Sequence, residues 1–547
     1  MKIETQLDQI VSNLSRHKTI WAEAPISQRL PYLQGCIAAT EQVAPAWAEA
    51  ACRAKGIDPT APLAGEEWLM GPAATLSHLQ AWVRSLQAGG QPPPTNLRQW
   101  QNQTIARVFP ATPLDRFLWP GYSGEVWIEP GQPATQSRVY RQASPPGQVA
   151  LVLGAGNVSS IAPLDALYKL LAENAVVLLK LNPVNDYMGP FLETALAPFI
   201  QAGFLAIVDG GAEVGAYLCQ HPQVDTIHIT GSHHTHDAIV WGSDPAEQTR
   251  RRTSQQPQIH KPITSELGCV TPVLVVPGPW SEADLAYQAR QVAGMVVHNA
   301  SFNCAAAKVV VTARGWPQRQ SFLAKLRQEL AATPARQPYY PGALERYQEF
   351  RNRYPQAEVL GKATVPWTLI PDVTPTEGEY ALTQEAFCGV LAEVNLEATT
   401  AAEFLPQAVE FVNHKVWGNL SCVILIHPKT QKHLATELHQ AIADLRYGAI
   451  AVNVWSAVVY SIPACTWGAF SGNPLEDVRS GRGVVHNTYL FDHPQKSVVY
   501  APFRIVPMPL WFPRHPKLLA LGKSFTRVMA KPSLDRIMQL LLQSLFG

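Results

Sequence analysis

Through about the first 95 residues Leu, Ile, Trp and Ala recur at three- and four-residue intervals, the period of a helix with one apolar face. The pattern predicts an all-helical leader interrupted at Pro25, Pro59 and Pro62 and closed by the Gly89-Gly90-Gln91-Pro92-Pro93-Pro94 loop. From 107 to 150 the period shortens, and 124–128 and 137–142 read as strands of hairpin or edge type before Pro145-Pro146-Gly147. Continuous β-rich apolar runs then appear at 148–153, 175–181, 206–209 and 226–230, separated by longer helix-like stretches. Such alternation predicts βαβ units and a parallel, doubly wound sheet. It resumes after residue 262 with runs at 270–276, 307–312, 392–394 and 422–426, which predicts a second α/β unit.

Composition narrows the class. At roughly 150 residues per domain, 547 residues correspond to three or four structural units. With 47% apolar and 16% charged residues and a net charge of +1, the chain is expected to fold and not to be a general polyanion binder, so nucleic-acid binding is not expected. The first residues mix both charge signs without an apolar core, and no run of about 18 uncharged apolar residues occurs, so neither secretion nor membrane spanning is expected. Eight cysteines without a CxxC pair fit a reducing compartment and argue against a zinc ribbon. The tail 504–547 differs in kind, with seven basic side chains against Asp535 alone. It reads either as helices packed on the body or another subunit, or as a basic amphipathic contact with an anionic membrane.

Five segments could carry chemistry. In Asn299-Ala-Ser-Phe-Asn-Cys304-Ala-Ala-Ala-Lys308, small neighbours leave room for a substrate beside a thiol, although a lone cysteine is commonly a buried apolar residue. Glu266, in Ser265-Glu266-Leu267-Gly268-Cys269 before an apolar strand, could activate water or that thiol, or could be a capping carboxylate. Leu153-Gly154-Ala-Gly156-Asn157 resembles a glycine-rich dinucleotide turn but lacks its third glycine. The next strand ends in Lys180, whose ammonium could meet a ribose hydroxyl or a 2′-phosphate, and Thr230-Gly231-Ser232 offers a strand-to-helix turn for a pyrophosphate. The histidines at 233, 234 and 236 follow that turn without a recognised ligand spacing, so no metal site is expected.

Taken in order, these segments resemble the aldehyde dehydrogenase superfamily. Asn157 stands where that family has its Trp-Asn, and Lys180 at its ribose lysine. Thr230-Gly231-Ser232 matches Phe-Thr-Gly-Ser, Glu266-Leu267-Gly268 matches Glu-Leu-Gly-Gly, and Glu385-Ala386-Phe387 matches Glu-Ile-Phe. Cys304 matches the nucleophile, and Val452-Asn453 with Gly468 through Ser471-Gly472 the C-terminal elements, over roughly residues 20 to 500. The resemblance implies an α/β fold with a Rossmann-type cofactor domain, an α/β catalytic domain and a small β oligomerisation extension. In this chain those parts are expected as a helical leader and the start of the cofactor domain (1–125), the extension (126–147 and 486–503), the NAD(P)-binding domain (148–261, with a return at 446–485), the catalytic domain (262–445) and the tail (504–547).

The resemblance also implies roles. Cys304 attacks an aldehyde, Asn157 stabilises the oxyanion, and Glu266 activates the water that hydrolyses a thioester to a carboxylic acid. Lys180, Gly231, Ser232, Gly268, Glu385 and Phe387 are the implied contacts to NAD or NADP. A homodimer or homotetramer in the cytoplasm follows by the same route. Pro183 replaces the glutamate by which many NAD-preferring relatives bind the adenosine ribose, so NADP is tolerated. Cys269, Val270, Cys388 and Thr466-Trp467-Gly468-Ala469 depart from the family's turns and could crowd a nicotinamide. Trp455, Tyr460 and Trp467 hint at a long apolar aldehyde. The alternatives are an acyl-CoA or acyl-thioester reductase, disfavoured by Glu266, and a catalytically silent cofactor-binding scaffold.

Overall fold

The computed structural model describes residues 3–545. Pro25 separates the two leader helices, Ile3–Glu23 and Ile26–Ala54, and a third, Ala74–Gln87, precedes the Gly-Pro loop. The leader is seated by polar bonds as well as by apolar burial. The Arg29 guanidinium donates to the Trp21 carbonyl at 2.7 Å and to Asn174 Oδ1 at 2.5 Å. Trp47 Nε1 donates to Ser159 Oγ at 2.8 Å, directly behind the 154–157 turn.

The alternation of apolar runs builds two largely parallel sheets. One has six strands, in the order Gly481–Arg482, Ile263–Leu267, Thr226–Gly231, Val149–Leu153, Val176–Lys180 and Leu205–Val208, with only Gly481–Arg482 antiparallel. The other has eleven, and its centre runs parallel through Pro494–Tyr500, Ala449–Val452, Ser421–Leu425, Pro272–Val275, Val309–Ala313, Val390–Leu396 and Trp367–Ile370. Its inner strands Pro272–Val275 and Val309–Ala313 are buried at every position, as expected where both faces of a parallel sheet are covered.

Several expectations shift. Segment 137–142 is no strand: Ser137 takes a left-handed conformation (φ 61°), its hydroxyl bonds the Gly90 carbonyl, and a short helical turn Arg138–Arg141 follows. Strand Ile263–Leu267 hydrogen-bonds within the six-stranded sheet, so the chain crosses to the larger sheet at 268–271 and not at 262. Ala449–Val452 lies in the larger sheet, and only Gly481–Arg482 returns to the smaller one. The extension strands Ser123–Ile128 and Pro494–Tyr500 pair with each other, and the second also pairs with Ala449–Val452, so both continue the chain's own sheet.

In the tail, helix Leu518–Ala530 packs on Gly65–Trp68, where a side chain at Gly65 would run into the Leu518 carbonyl. The last helix, Leu534–Leu545, leaves Leu534, Met538 and Leu542 exposed at four-residue spacing. No helix among the described residues is long and apolar enough to cross a membrane.

Candidate active site

The candidate site lies where the carboxyl end of the six-stranded sheet meets the amino end of the parallel strands of the eleven-stranded sheet. Asn157 lies between strand Val149–Leu153 and helix Ile161–Leu171, Glu266 near the end of strand Ile263–Leu267, and Cys304 in the turn before strand Val309–Ala313. Cys304 is partly exposed, whereas Asn303, Ala305 and Ala306 beside it are buried. The turn is pinned from several directions. Trp455 Nε1 donates to the Ala305 carbonyl at 2.7 Å, Thr271 Oγ1 to the Cys304 carbonyl at 3.0 Å, and Asn157 Nδ2 to the Phe302 carbonyl at 2.9 Å. The last bond brings the Asn157 amide to the nucleophile's loop, leaving its second N–H for another acceptor.

Just upstream, Asn299, Ala300 and Ser301 all adopt positive φ (51°, 53° and 70°). Each such non-glycine residue costs about 1–3 kcal/mol and persists only where its surroundings hold it. Here a buried polar knot does so. Lys55 pairs with Glu67 at 2.9 Å and donates to Asn299 Oδ1 at 3.0 Å. The Asn157 carbonyl accepts from Lys55 (3.1 Å), Asn299 Nδ2 (3.0 Å) and the Tyr339 hydroxyl (2.9 Å). On the far side Glu66 accepts from the Asn299 N–H and pairs with Arg336. Removing one partner of a buried ion pair costs about 3–5 kcal/mol. Lys55→Met is therefore expected to lower unfolding free energy in urea by about that amount, and Lys55→Met with Glu67→Leu to recover much of it; equal loss in both proteins would contradict the pairing.

Burial dominates the electrostatics. It pushes the Glu266 carboxyl up to about 8, assisted by the neighbouring Asp165 charge and opposed by Cys304 and Trp467. The Cys304 thiol is held well above the ordinary thiol range, first by burial and then by the charge of Glu266. Thiol and carboxyl therefore face each other as a coupled, resting neutral pair.

The edge of the six-stranded sheet fits a dinucleotide. Lys180 ends its strand nearly buried and makes no hydrogen bond or ion pair among the described residues, which leaves its ammonium for a ligand; burial holds its pKa below the usual lysine value. At Gly156 a Cβ would lie 2.7 Å from Asn182 Oδ1, so only glycine keeps that turn closed. Ser232 caps helix His233–Trp241 through the Thr235 N–H, and Gly231 beside it is exposed. Across the cleft, Glu385 packs against Gly268, where a Cβ would fall 1.9 Å from its carboxylate, and it pairs with Lys308 at 3.1 Å. Phe387 stands 5.6 Å from the Phe302 ring, and Arg346 holds its carbonyl at 3.2 Å. These contacts bring Asn157, Glu266, Gly268, Cys304, Glu385 and Phe387 together, while Lys180, Gly231 and Ser232 lie at the carboxyl ends of two strands of the six-stranded sheet. Lys180→Met, which removes a charge-assisted bond worth about 1.5–3 kcal/mol, is expected to raise the KM for NAD or NADP about 10- to 100-fold with little change in kcat.

Of the divergent turns, those at Cys269 and Cys388 have fully buried side chains, whereas Trp467 of the 466–469 turn meets the Glu266 carboxyl. Trp455 and Trp467 are buried and Tyr460 packs 4.5 Å from His486, so the three rings pack directly behind the Cys304 and Glu266 pair. His233 stacks on Trp417 (4.8 Å) and His234 (3.9 Å), and no group of three potential metal ligands converges among the described residues. Residue patterns alone missed Lys55, Glu67, Asn299, Tyr339 and Lys308, because their partners lie far away in sequence. They also missed Asp165 and Lys169, which had a visible signal: two charges four residues apart on an otherwise apolar helix.

Residues 123–343 match the model of the aldehyde dehydrogenase family. Among solved structures, an NAD-dependent aldehyde dehydrogenase from Sinorhizobium meliloti superposes with a TM-score of 0.61 at 17% identity, covering 91% of this chain and 88% of that one. A Mycobacterium tuberculosis aldehyde dehydrogenase complexed with NAD+ gives 0.60 at 17% identity over 91% and 90% of the two chains. An NADP-dependent enzyme from E. coli gives 0.62 at 16% identity, also over 91% and 90%. At these identities the structures share the fold.

Proposed function

We propose that this chain, whose residues 123–343 match the aldehyde dehydrogenase family and whose fold is shared with aldehyde dehydrogenases, oxidises an aldehyde to a carboxylic acid with NAD or NADP through a thioester on Cys304. The observation that carries the proposal is the convergence, at one cleft between two sheets, of a partly exposed thiol, a buried carboxyl that perturbs it, and an asparagine amide bonded to the nucleophile's own loop. In this reading the six-stranded unit binds the dinucleotide through Lys180, Gly231 and Ser232, Gly268 lies where the chain crosses between the sheets, and the eleven-stranded unit adds Glu385 and Phe387 and presents the nucleophile.

Bound NAD(P)+ supplies the hydride acceptor. Cys304 gives its proton to the ionised Glu266 carboxylate, and its sulfur attacks the carbonyl carbon. The resulting oxyanion lies within reach of the Asn157 amide, a contribution of about 2.7–4 kcal/mol per donor in comparable sites. Once Cys304 carries the acyl group, Glu266 takes a proton from the water that attacks it. Phe302, Tyr339 and Tyr340 pack beside the loop and help exclude other water.

Because Glu266 is neutral below about 8, the rate is expected to climb with pH as that carboxyl ionises, and the climb is expected to be absent in Glu266→Gln. A flat profile in the unsubstituted enzyme would contradict Glu266 as base. The activity itself is tested by absorbance at 340 nm with either cofactor and aldehydes of increasing chain length, with and without coenzyme A. Turnover without coenzyme A supports the proposal. Turnover only with coenzyme A would make the chain an acyl-thioester reductase, and cofactor binding without turnover would make it a scaffold.

A cytoplasmic homodimer or homotetramer is part of the same proposal, measured by light scattering. So is peripheral contact of 504–547 with an anionic membrane, favoured by the stripe Leu534, Met538 and Leu542 and by exposed Lys523, Arg527 and Lys531. Co-sedimentation with phosphatidylserine vesicles that disappears when 534–547 is removed would support it; no sedimentation would dismiss it.

A further inference from the structure

The turn that carries the thiol has a cation of its own, four residues downstream. In Asn303-Cys304-Ala305-Ala306 the Ala306 N–H donates to the Asn303 carbonyl at 3.1 Å, which closes a tight turn with Cys304 at its second position. Lys308 is buried, and its ammonium spans that turn. Lys308 Nζ donates to the Asn303 carbonyl at 2.9 Å and to the Ala306 carbonyl at 3.2 Å, the first and last residues of the turn. Its third partner is Glu385 Oε1, an ion pair at 3.1 Å. A buried ammonium persists only where it is paired and hydrogen-bonded, and here two carbonyls and a carboxylate meet that need. The backbone beneath it is equally fixed. The Lys308 N–H donates to the Thr271 carbonyl at 3.0 Å, and the Lys308 carbonyl accepts from the Ala392 N–H at 2.8 Å, so neighbouring segments on both sides hold it at the head of strand Val309–Ala313.

We infer that Lys308 is a positioning residue for the reaction: it clamps both ends of the turn that presents Cys304, and its positive charge lets a thiolate form among carboxylates. The inference rests on the proposed role of Cys304 as nucleophile. The charge matters because the surroundings of the thiol are acidic. Glu266 on strand Ile263–Leu267 and Glu385 after helix Tyr380–Thr383 both disfavour a thiolate at Cys304, and Lys308 opposes them. Asp165 on helix Ile161–Leu171 adds its charge at Glu266, and Tyr460 also lies near the thiol. On its own far side Lys308 faces the buried thiols of Cys269 and Cys388. In a site that excludes water, a positive charge acts strongly on an anion beside it. The thiolate forms before Cys304 attacks the carbonyl carbon and again as water displaces the sulfur from the thioester, so one charge serves both halves of the reaction. The turn itself is served by the two carbonyl bonds, which keep Cys304 at one position through both steps.

The alternative is that Lys308 only satisfies its carbonyls and Glu385. Its loss would then lower the melting temperature and leave the proton affinity of the thiol alone. Iodoacetamide alkylation of Cys304 as a function of pH, with Cys304→Ala as the background, separates the two without cofactor or turnover. Lys308→Met keeps the length of the side chain and loses its charge, and it is expected to raise the pH of half-maximal alkylation by at least about one pH unit. Glu385→Gln is expected to lower that pH. Lys308→Met combined with Glu385→Gln is expected to lie above Glu385→Gln alone by at least about one pH unit as well. If the single Met variant does not fold, the double variant decides the matter, because it removes both members of the buried pair and leaves no charge without a partner. A half-maximal pH in folded Lys308→Met equal to that of the unsubstituted enzyme, or a double variant indistinguishable from Glu385→Gln, would overturn the inference. Full turnover in Cys304→Ala would instead sink the reading on which it rests.

Discussion

Cys304→Ala is expected to abolish aldehyde-dependent reduction of NAD or NADP, with a loss of at least about 10⁴-fold in kcat/KM, because no neighbouring group can replace a nucleophile that carries the acyl intermediate. The seven other cysteines are buried, so none offers a substitute thiol at the cleft. Nothing in the fold depends on the sulfur: the turn is held by main-chain acceptors at Phe302, Cys304 and Ala305, all of which the variant keeps. Stability and cofactor affinity are therefore expected to stay near those of the unsubstituted protein. The checks are absorbance at 340 nm for turnover and fluorescence titration for cofactor binding. Residual turnover within about tenfold of normal would remove Cys304 from the mechanism.

Glu266→Gln is expected to separate the two halves of the reaction. The amide keeps the shape of the side chain but takes no proton, so water attack on the thioester loses its base, a contribution of about 10²–10⁴-fold. Hydride departure precedes that step, so rapid mixing is expected to give roughly one equivalent of reduced cofactor per site and then a stalled steady state, provided the thiol can ionise at the pH used. The neutral amide also removes the charge that raises the Cys304 thiol, so that ionisation is expected at lower pH than in the unsubstituted enzyme. Iodoacetamide alkylation as a function of pH checks this independently of turnover. Alkylation that shifts to higher pH, or a steady state as fast as in the unsubstituted enzyme, would mean that Glu266 serves another purpose.

How much was legible in the sequence follows from the range over which each interaction acts. Periodicity in apolar residues determined the helical leader and two α/β units, because burial on one stripe of a helix or both faces of a strand is a local requirement written at fixed spacing. Seven short motifs in family order pointed to the candidate site residues, of which the fold brings Asn157, Glu266, Gly268, Cys304, Glu385 and Phe387 into contact. The strand at 137–142 failed because nothing local announces that Ser137 turns left-handed to reach Gly90. The division between the units also shifted. Ile263–Leu267 reads Ile-Thr-Ser-Glu-Leu, a weak local signal, and its hydrogen-bonding partner decides which sheet it joins.

The tertiary structure alone decided the electrostatics. Glu266 and Cys304 lie 38 residues apart, and the burial that holds their protons comes from elements contributed by most of the chain. The Lys55–Glu67 knot spans more than 240 residues to reach Asn299, and the bonds of His228 to Thr230 and Thr264 exist only because two strands align in register. The sequence by itself determined which chemical groups are present and which backbone elements carry them. Their proton affinities, partners and access to water depend on desolvation and on distances of a few ångströms between remote segments, which only the folded chain sets.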